Sequence, residues 1–189
     1  MSVGDVVYAA YARRVARQLK PAGIPRHVGV MLDGNRRWAK ERGGSTAQGH
    51  QAGADNIANL LSWCEEIGVE VVTLWLLSTD NLARPAGELR PLLGIIERAV
   101  TDLADAGRWR IHPVGALDLL PVETAQVLKA AADSTRDVDG MLVNVAVGYG
   151  GRREIADAVR SLLQEHARAG TTIEELAEVL DVEHIAEHL

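Results

Sequence analysis

Asp33, Gly34, Asn35, Arg36, Arg37 and Trp38 follow a short, mostly apolar run from His27 to Leu32. A carboxylate and two guanidinium groups therefore stand side by side where a buried strand would end. Two chemistries suit that grouping. An aspartate at a strand-to-helix junction can accept the free N–H groups of the first helical turn, which is a purely structural cap. Alternatively, Asp33 holds a magnesium ion, a hard cation that takes one or two carboxylates together with substrate phosphate oxygens. Gly34, Asn35, Arg36 and Arg37 would then bind the phosphates, so that the arginines meet a diphosphate and the aspartate meets the metal bridging to it.

Other polar clusters sit in comparable places. STDNLARP, Ser78 to Pro85, and GYGGRRE, Gly148 to Glu154, each follow an apolar run. Asn81 is either a turn residue or, in the company of Ser78 and Arg84, part of a site. GYGGRRE has Arg153 where a dinucleotide fingerprint needs its third glycine, so that reading fails; a glycine turn and a phosphate contact remain. His50 lies in GHQAG, where Gly49 and Gly53 would let a ligand or another stretch of backbone come close. HIAEH, His184 to His188, matches a zinc pattern in form, but no residues beyond it supply a third ligand, and it reads as a pair of helix-surface histidines. Cys64 falls on an apolar helical stripe and reads as a small core residue.

Four runs carry the composition of strands: His27 to Leu32, Val71 to Leu77, Arg110 to Gly115 and Met141 to Val147. Helical spacing links Ile57, Leu60, Leu61, Cys64 and Ile67, and again Leu89, Leu92, Leu93, Ile96, Val100 and Leu103. Pro121 to Ala132 and Arg152 to Ala167 supply two further helices. Alternation of strands and helices predicts an α/β fold with a mostly parallel sheet covered on both faces. Ligands of such sheets bind beyond the carboxyl ends of the strands. Arg36, Arg37, Arg84, Arg152 and Arg153 are therefore expected along one edge, which suits a phosphorylated ligand. Alternation along the second strand predicts Val72, Leu74 and Leu76 on one face and Trp75 and Leu77 on the other.

The 189 residues, 47% of them hydrophobic, suffice for one domain with a substantial core. A net charge of −6 gives no general footprint for nucleic acid. One cysteine excludes an internal disulfide and fits a reducing compartment, so the cytoplasm is the expected location. No run approaches the ~18 apolar residues of a membrane span. Residues 1–24 contain an i, i+4 ladder of Val7, Tyr11, Val15 and Leu19 beside Arg13, Arg14, Arg17 and Lys20, an amphipathic helix expected to pack on the domain. Peripheral contact with a membrane surface is the alternative.

HVGVMLDGNRRWA, GHQAGA, LSTDNLARP and VNVAVGYGGRREI, in this order and spacing, resemble the cis-prenyltransferases, the undecaprenyl diphosphate synthase family. The similarity runs from Pro25 onward, which assigns 25–189 to the catalytic domain. It implies condensation of isopentenyl diphosphate with an allylic diphosphate, geranyl or farnesyl diphosphate, to make Z double bonds, with Mg2+ as cofactor and a homodimer as the usual assembly. It also implies about six parallel strands in the complete fold, about four of them here, with helices around a hydrophobic tunnel. By position, Asp33 matches the metal-linked catalytic aspartate, and Gly34, Asn35, Arg36, Arg37 and Trp38 the allylic-substrate loop. His50 matches the diphosphate-binding histidine; Ser78, Thr79, Asp80, Leu82 and Arg84 fall on the second substrate loop. Asn81 falls on the asparagine assigned as proton acceptor, and because a neutral amide is a weak base its role is expected to lean on the released diphosphate.

Thr46, Leu77 and Leu82 depart from the residues common at those family positions, and Leu76 stands where long-chain members often have alanine. The pattern is closest to the short-product branch that makes Z-farnesyl-type diphosphates, with Leu76 as the expected floor of the tunnel. The resemblance also implies an R-x-G-x-E-x-R-x-S-x-F segment beyond Leu189, so the chain reads as C-terminally truncated and is expected to be inactive alone. Competing readings are a non-catalytic partner subunit or inactive fragment of such an enzyme, and a simple phosphate-ligand binding domain.

Overall fold

The computed structural model describes residues 3–19 and 23–188. The chain divides into two compact units, Met1–Tyr149 and Gly150–Leu189. In chain order the first contains α1 (Val3–Gln18), β1 (His27–Met31), α2 (Asn35–Glu41), α3 (Thr46–Asp55), α4 (Ile57–Glu66), β2 (Val71–Ser78), α5 (Ala86–Asp105), β3 (Arg110–Val114), α6 (Val122–Ser134) and β4 (Leu142–Tyr149). The second contains α7 (Gly151–Ala169), α8 (Ile173–Val179) and α9 (Val182–Ala186). Each of the four apolar runs forms a strand, and the strands make one wholly parallel sheet of order β1-β2-β4-β3.

Val72, Leu74 and Leu77 of β2, Ile111 of β3, and Val143, Val145 and Val147 of β4 are all at most 2% exposed. They join one core with Leu61 of α4, Val100 of α5 and Leu128 of α6. The opposite row of side chains is more polar and less covered than predicted. His27, Gly29 and Met31 alternate with half-buried residues along β1 as exposed positions, and on β3 Arg110 and His112 are exposed on either side of buried Ile111. Across that row Thr73 Oγ1 accepts a hydrogen bond from Asn144 Nδ2 at 3.1 Å and lies 2.8 Å from His27 Nε2. Such residues satisfy one another at modest cost in water, whereas the valine and leucine face must be buried.

Strict alternation in β2 fails at one place. Trp75 is paired with Ala146 and Leu77 with Val147, so Leu76 is an extra residue, a β-bulge. The insertion resets the pleat, and Leu77, not Leu76, shares the buried face with Val72 and Leu74. The predicted face of Leu76 is corrected accordingly. The N-terminal helix also departs from expectation: Val7 and Tyr11 are each 64% exposed, and Val15 and Leu19 are exposed too, so the apolar ladder is not packed on the domain.

Two glycines hold the β1 exit against α3. A Cβ on Gly49 would lie 2.2 Å from the carbonyl oxygen of Asn35, and one on Gly53 would lie 2.6 Å from Asn35 Oδ1. The close approach allowed for at these glycines is thus made by the chain's own loop. Ser45 caps α3 through a reciprocal bond with Gln48.

In the second unit, α7 ends at Gly170 in the left-handed conformation, φ 81°. Thr172 with Glu175, and Asp181 with His184, form capping boxes at the starts of α8 and α9. His188 Nδ1 lies 2.9 Å from Ser161 Oγ. The two histidines of HIAEH are accordingly engaged in local contacts, and no cluster of three His, Cys, Asp or Glu able to hold a metal occurs among the described residues.

The glycine contacts separate two substitutions of the same type. Alanine ordinarily favours a helix interior over glycine by about 1 kcal/mol. At Gly94, where a Cβ meets only Arg98 Nη1 at 3.6 Å, Gly94→Ala should raise stability by up to about that amount. Gly49→Ala forces a methyl into a backbone carbonyl and should lower stability by ~1–3 kcal/mol, the cost of overpacking. Urea unfolding of both variants measures the difference; a Gly49→Ala protein as stable as the parent contradicts the contact.

Candidate active site

A cavity of about 470 Å³ opens where β1 and β2 end, and its walls come from the first unit alone. The rim is polar: Asp33, Arg36 and Arg37 from the β1 exit, His50 from α3, and Ser78, Asn81 and Arg84 from the β2 exit. Deeper walls are apolar, with Ala54, Ile57, Leu76, Leu92, Ile95, Ile96 and Ala99. A charged mouth over an apolar recess suits an amphiphile with an anionic head.

Asp33 does not cap α2. That position is taken by Gly34 at φ 87°, with no side-chain capping bond, and the conformation explains the glycine. The Asp33 carboxylate accepts the Gly34 N–H through Oδ1 at 2.6 Å and is otherwise turned to the cavity. Among the described residues neither Arg36 nor Arg37 pairs with it; Arg36 Nη1 lies 3.8 Å from Glu88 Oε1 instead. The neighbouring charges of the sequence are therefore not neutralised against each other. Asn35 lines the cavity, while its Nδ2 donates to the Leu32 carbonyl at 3.3 Å and its Oδ1 faces Gly53.

The β2 exit is organised by Arg84. Its Nε and Nη2 donate to Asn81 Oδ1 at 3.2 and 2.9 Å, and its Nη1 donates to Glu88 Oε1 at 3.0 Å. Ser78 Oγ accepts the Asn81 backbone N–H at 3.3 Å. Between the two exits, His50 Nε2 is buried without a hydrogen-bond partner. Burial, followed by the positive charges of Arg84 and Arg36, holds the pKa of His50 below its ordinary value of 6.5, against an opposing pull from Glu88. A buried polar atom facing cationic groups is ready to meet an anion.

Several predicted residues lie off the cavity wall. Trp38 lines an adjoining depression with Gly49, Gly53 and Leu60, and the Arg42 guanidinium stacks on its ring at 4.4 Å. Thr79 donates its N–H to the Tyr149 carbonyl at 3.0 Å, Asp80 is exposed, and Leu82 packs against the core. Gly34 and Leu76 do line the cavity. Arg152 and Arg153 belong to the second unit and are exposed, Arg153 Nε standing 3.4 Å from Asp157. Gly148 is not in a turn but lies within β4 at a shift in register with β2, at φ 68° with its missing Cβ 3.1 Å from the Ala116 carbonyl oxygen.

Glu88 was missed, although its i+4 spacing from Arg84 is the pattern of a helical ion pair. Ile95 was missed because it lies off the main apolar stripe of α5 and is buried, at 5% exposure, by the cavity side of the helix.

The family model for putative undecaprenyl diphosphate synthase matches residues 31–189. The chain is 59% identical over 179 residues to isoprenyl transferase 1 of Streptomyces avermitilis, covering 95% of this chain and 70% of the relative. It is 64% identical over 167 residues to the (2Z,6E)-farnesyl diphosphate synthase of Thermobifida fusca, covering 88% of this chain and 65% of the relative. Among solved structures, the lavandulyl diphosphate synthase of Lavandula x intermedia, in complex with dimethylallyl diphosphate, superimposes with a TM-score of 0.77 at 28% identity, covering 88% of this chain and 71% of that one. Sheet, cavity and sequence thus agree, and the chain belongs to the undecaprenyl diphosphate synthase family of prenyltransferases.

Proposed function

We propose that the protein joins isopentenyl diphosphate to an allylic diphosphate, geranyl or farnesyl diphosphate, to give a short-chain Z-prenyl diphosphate. The observation that carries this reading is the cavity itself, with a cationic rim around one uncommitted carboxylate and an apolar recess behind it. Arg36, Arg37 and Arg84 offset the charge of the diphosphate as it departs, which lowers the barrier to breaking the allylic C–O bond. The apolar walls from α4 and α5 hold the hydrocarbon and keep water from the allylic carbon.

A magnesium ion fits this donor set as a shared ion. Among the described residues Asp33 offers one carboxylate oxygen without a hydrogen-bond or ion-pair partner, and substrate phosphate oxygens and water would complete the shell that magnesium prefers. When bound, the metal supplies Lewis-acid stabilisation of the leaving group. Asp33 would hold it, with Arg36 and Arg37 completing the neutralisation from the protein side.

Leu76 is assigned as the floor of the recess. The bulge turns it out of the buried face and onto the cavity wall, and a packed wall cannot give way to a longer chain without losing contacts. The reaction is assigned to the cytoplasm, in a homodimer, with α1 touching the membrane surface; no helix among the described residues is long and apolar enough to cross it.

Product assays on the full-length gene product test the core of this reading. Radiolabelled isopentenyl diphosphate should enter short products in the presence of magnesium, and Asp33→Ala should abolish incorporation without lowering the melting temperature. Leu76→Ala should lengthen the products at a stability cost below the ~2–5 kcal/mol of a sealed core site, since its side chain already borders a cavity. Unchanged lengths in an active Leu76→Ala enzyme place the floor elsewhere.

His50 gives a pH test. Its folded pKa is lowered, so stability from the neutral ring is present above the unfolded value of 6.5 and is lost as pH falls from there toward the folded value. A bound diphosphate reverses the local charge and favours imidazolium. At about pH 6, pyrophosphate binding should therefore take up protons, as read by calorimetry in buffers of different ionisation heat. His50→Gln should remove the uptake; uptake that persists belongs to another group.

Sedimentation tests the assembly. A dimer and co-sedimentation with anionic but not neutral vesicles are expected, the latter weakened by reversing Arg13, Arg14 and Arg17. A monomer indifferent to vesicles rejects both assignments.

A further inference from the structure

Arg84 carries an orientation signal that the family resemblance does not predict. A guanidinium has donors only, and two of its N–H groups, Nε at 3.2 Å and Nη2 at 2.9 Å, converge on one side-chain atom of Asn81. That atom must be the amide oxygen, so the network itself fixes which way the amide is turned. Asn81 nevertheless lines the cavity. With its oxygen drawn to Arg84, the group left to serve a ligand is the NH2, which can only donate.

The orientation is held from behind. Arg84 has a long side chain, yet only 18% of it is exposed, and its remaining guanidinium arm reaches Glu88 Oε1 at 3.0 Å. The same carboxylate oxygen stands 3.8 Å from Nη1 of Arg36, in the first turn of α2 beyond the β1 exit. Glu88 is not on the cavity wall as Arg84 and Arg36 are. It therefore acts on the ligand through the two arginines.

We infer that Glu88 is a positioning residue which, through Arg84, fixes Asn81 as a hydrogen-bond donor to the anionic head of the substrate, and that Asn81 is not the proton acceptor. This rests on the diphosphate reading of the cavity. The proton balance then runs through the leaving group. The allylic C–O bond breaks and releases diphosphate, the isopentenyl double bond supplies the electrons of the new C–C bond, and the adjacent C–H pair becomes the new double bond as its proton passes to a diphosphate oxygen. Asn81 steers that oxygen by donating to it. An amide oxygen already accepting two N–H groups from a cation has little electron density left for a proton.

Charge alone and positioning predict opposite signs at Glu88. Removing a negative charge beside an anion site should tighten anion binding; removing the anchor of Arg84 should weaken it. Inorganic pyrophosphate with magnesium, titrated calorimetrically into the protein as it stands, reads the sign without requiring turnover. Glu88→Ala should bind pyrophosphate about tenfold more weakly, the scale of one hydrogen bond to a charged group. Glu88→Gln keeps an acceptor for Arg84 and should bind as tightly as the parent or more so. In 15N spectra of the parent protein, the side-chain NH2 pair of Asn81, identified by its loss in Asn81→Asp, should shift as pyrophosphate saturates. Glu88→Ala binding as tightly as the parent, or an Asn81 NH2 pair that stays in place while pyrophosphate saturates, overturns the inference; the spectrum of the parent decides even if Glu88→Ala does not fold. A parent protein that binds no pyrophosphate removes the diphosphate reading as well, an outcome distinct from either.

Discussion

Asn35 occupies the space that side chains at Gly49 and Gly53 would fill, and the geometry of the site depends on that fit. Its carbonyl oxygen lies where a Gly49 Cβ would stand, and its amide lies where a Gly53 Cβ would stand. The β1 exit loop is thereby seated on α3 at a separation no larger residue allows. His50 sits between the two glycines on the same helix, so the seating also fixes the direction from which its ring enters the cavity. One steric requirement thus ties the carboxylate and arginines at the β1 exit and the start of α2 to the histidine of α3. Rigid placement of this kind keeps charged groups apart when ion pairing would otherwise collapse them.

The bulge in β2 does comparable work on the apolar side. Without the extra residue, Leu76 would continue the buried face of Val72 and Leu74. With it, Leu77 takes that place at 1% exposure, and Leu76 and Trp75 both border the cavity. Bulges are known to re-aim side chains next to sites. The sheet keeps its core intact and gains a second apolar wall at the strand exit, facing the inner side of α5.

The architecture was legible because its signals are local and redundant. Each strand run was apolar and bounded by turn residues, and the parallel order follows from helices alternating with strands. Asp33, His50, Asn81 and Arg84 could be singled out from their motifs, and the structure gathers them at one cavity. What escaped depends on relations that one sequence does not encode by spacing. A bulge is a property of two strands' register, so strict alternation misassigned the face of Leu76. Burial of the α1 ladder requires a surface to pack on, and periodicity reports amphipathicity without naming the partner. Glu88 resembles any solvated helical acid until Arg84 and Arg36 are seen to converge on it. Arg152 and Arg153 match the other basic loops in composition, yet the cavity walls need nothing beyond the first unit.

An acidic chain of net charge −6 nevertheless builds a cationic corner, and the manner of its neutralisation is informative. Arg84 is committed to Asn81 and Glu88, Arg36 is drawn toward the same glutamate, and the pKa of His50 is held down by burial and by those arginines. Asp33 and Arg37 are rim charges without an opposite partner among the described ion pairs, although Asp33, Arg36, Arg37 and Arg84 all line the same cavity. If the rim existed to stabilise the fold, pairing Asp33 with Arg36 or Arg37 would be the cheaper arrangement, since an isolated charge facing a half-enclosed cavity loses hydration without compensation. The cost is accepted where an incoming ligand makes it good. An anion answers the arginines, a cation answers the aspartate, and a magnesium diphosphate answers both at once.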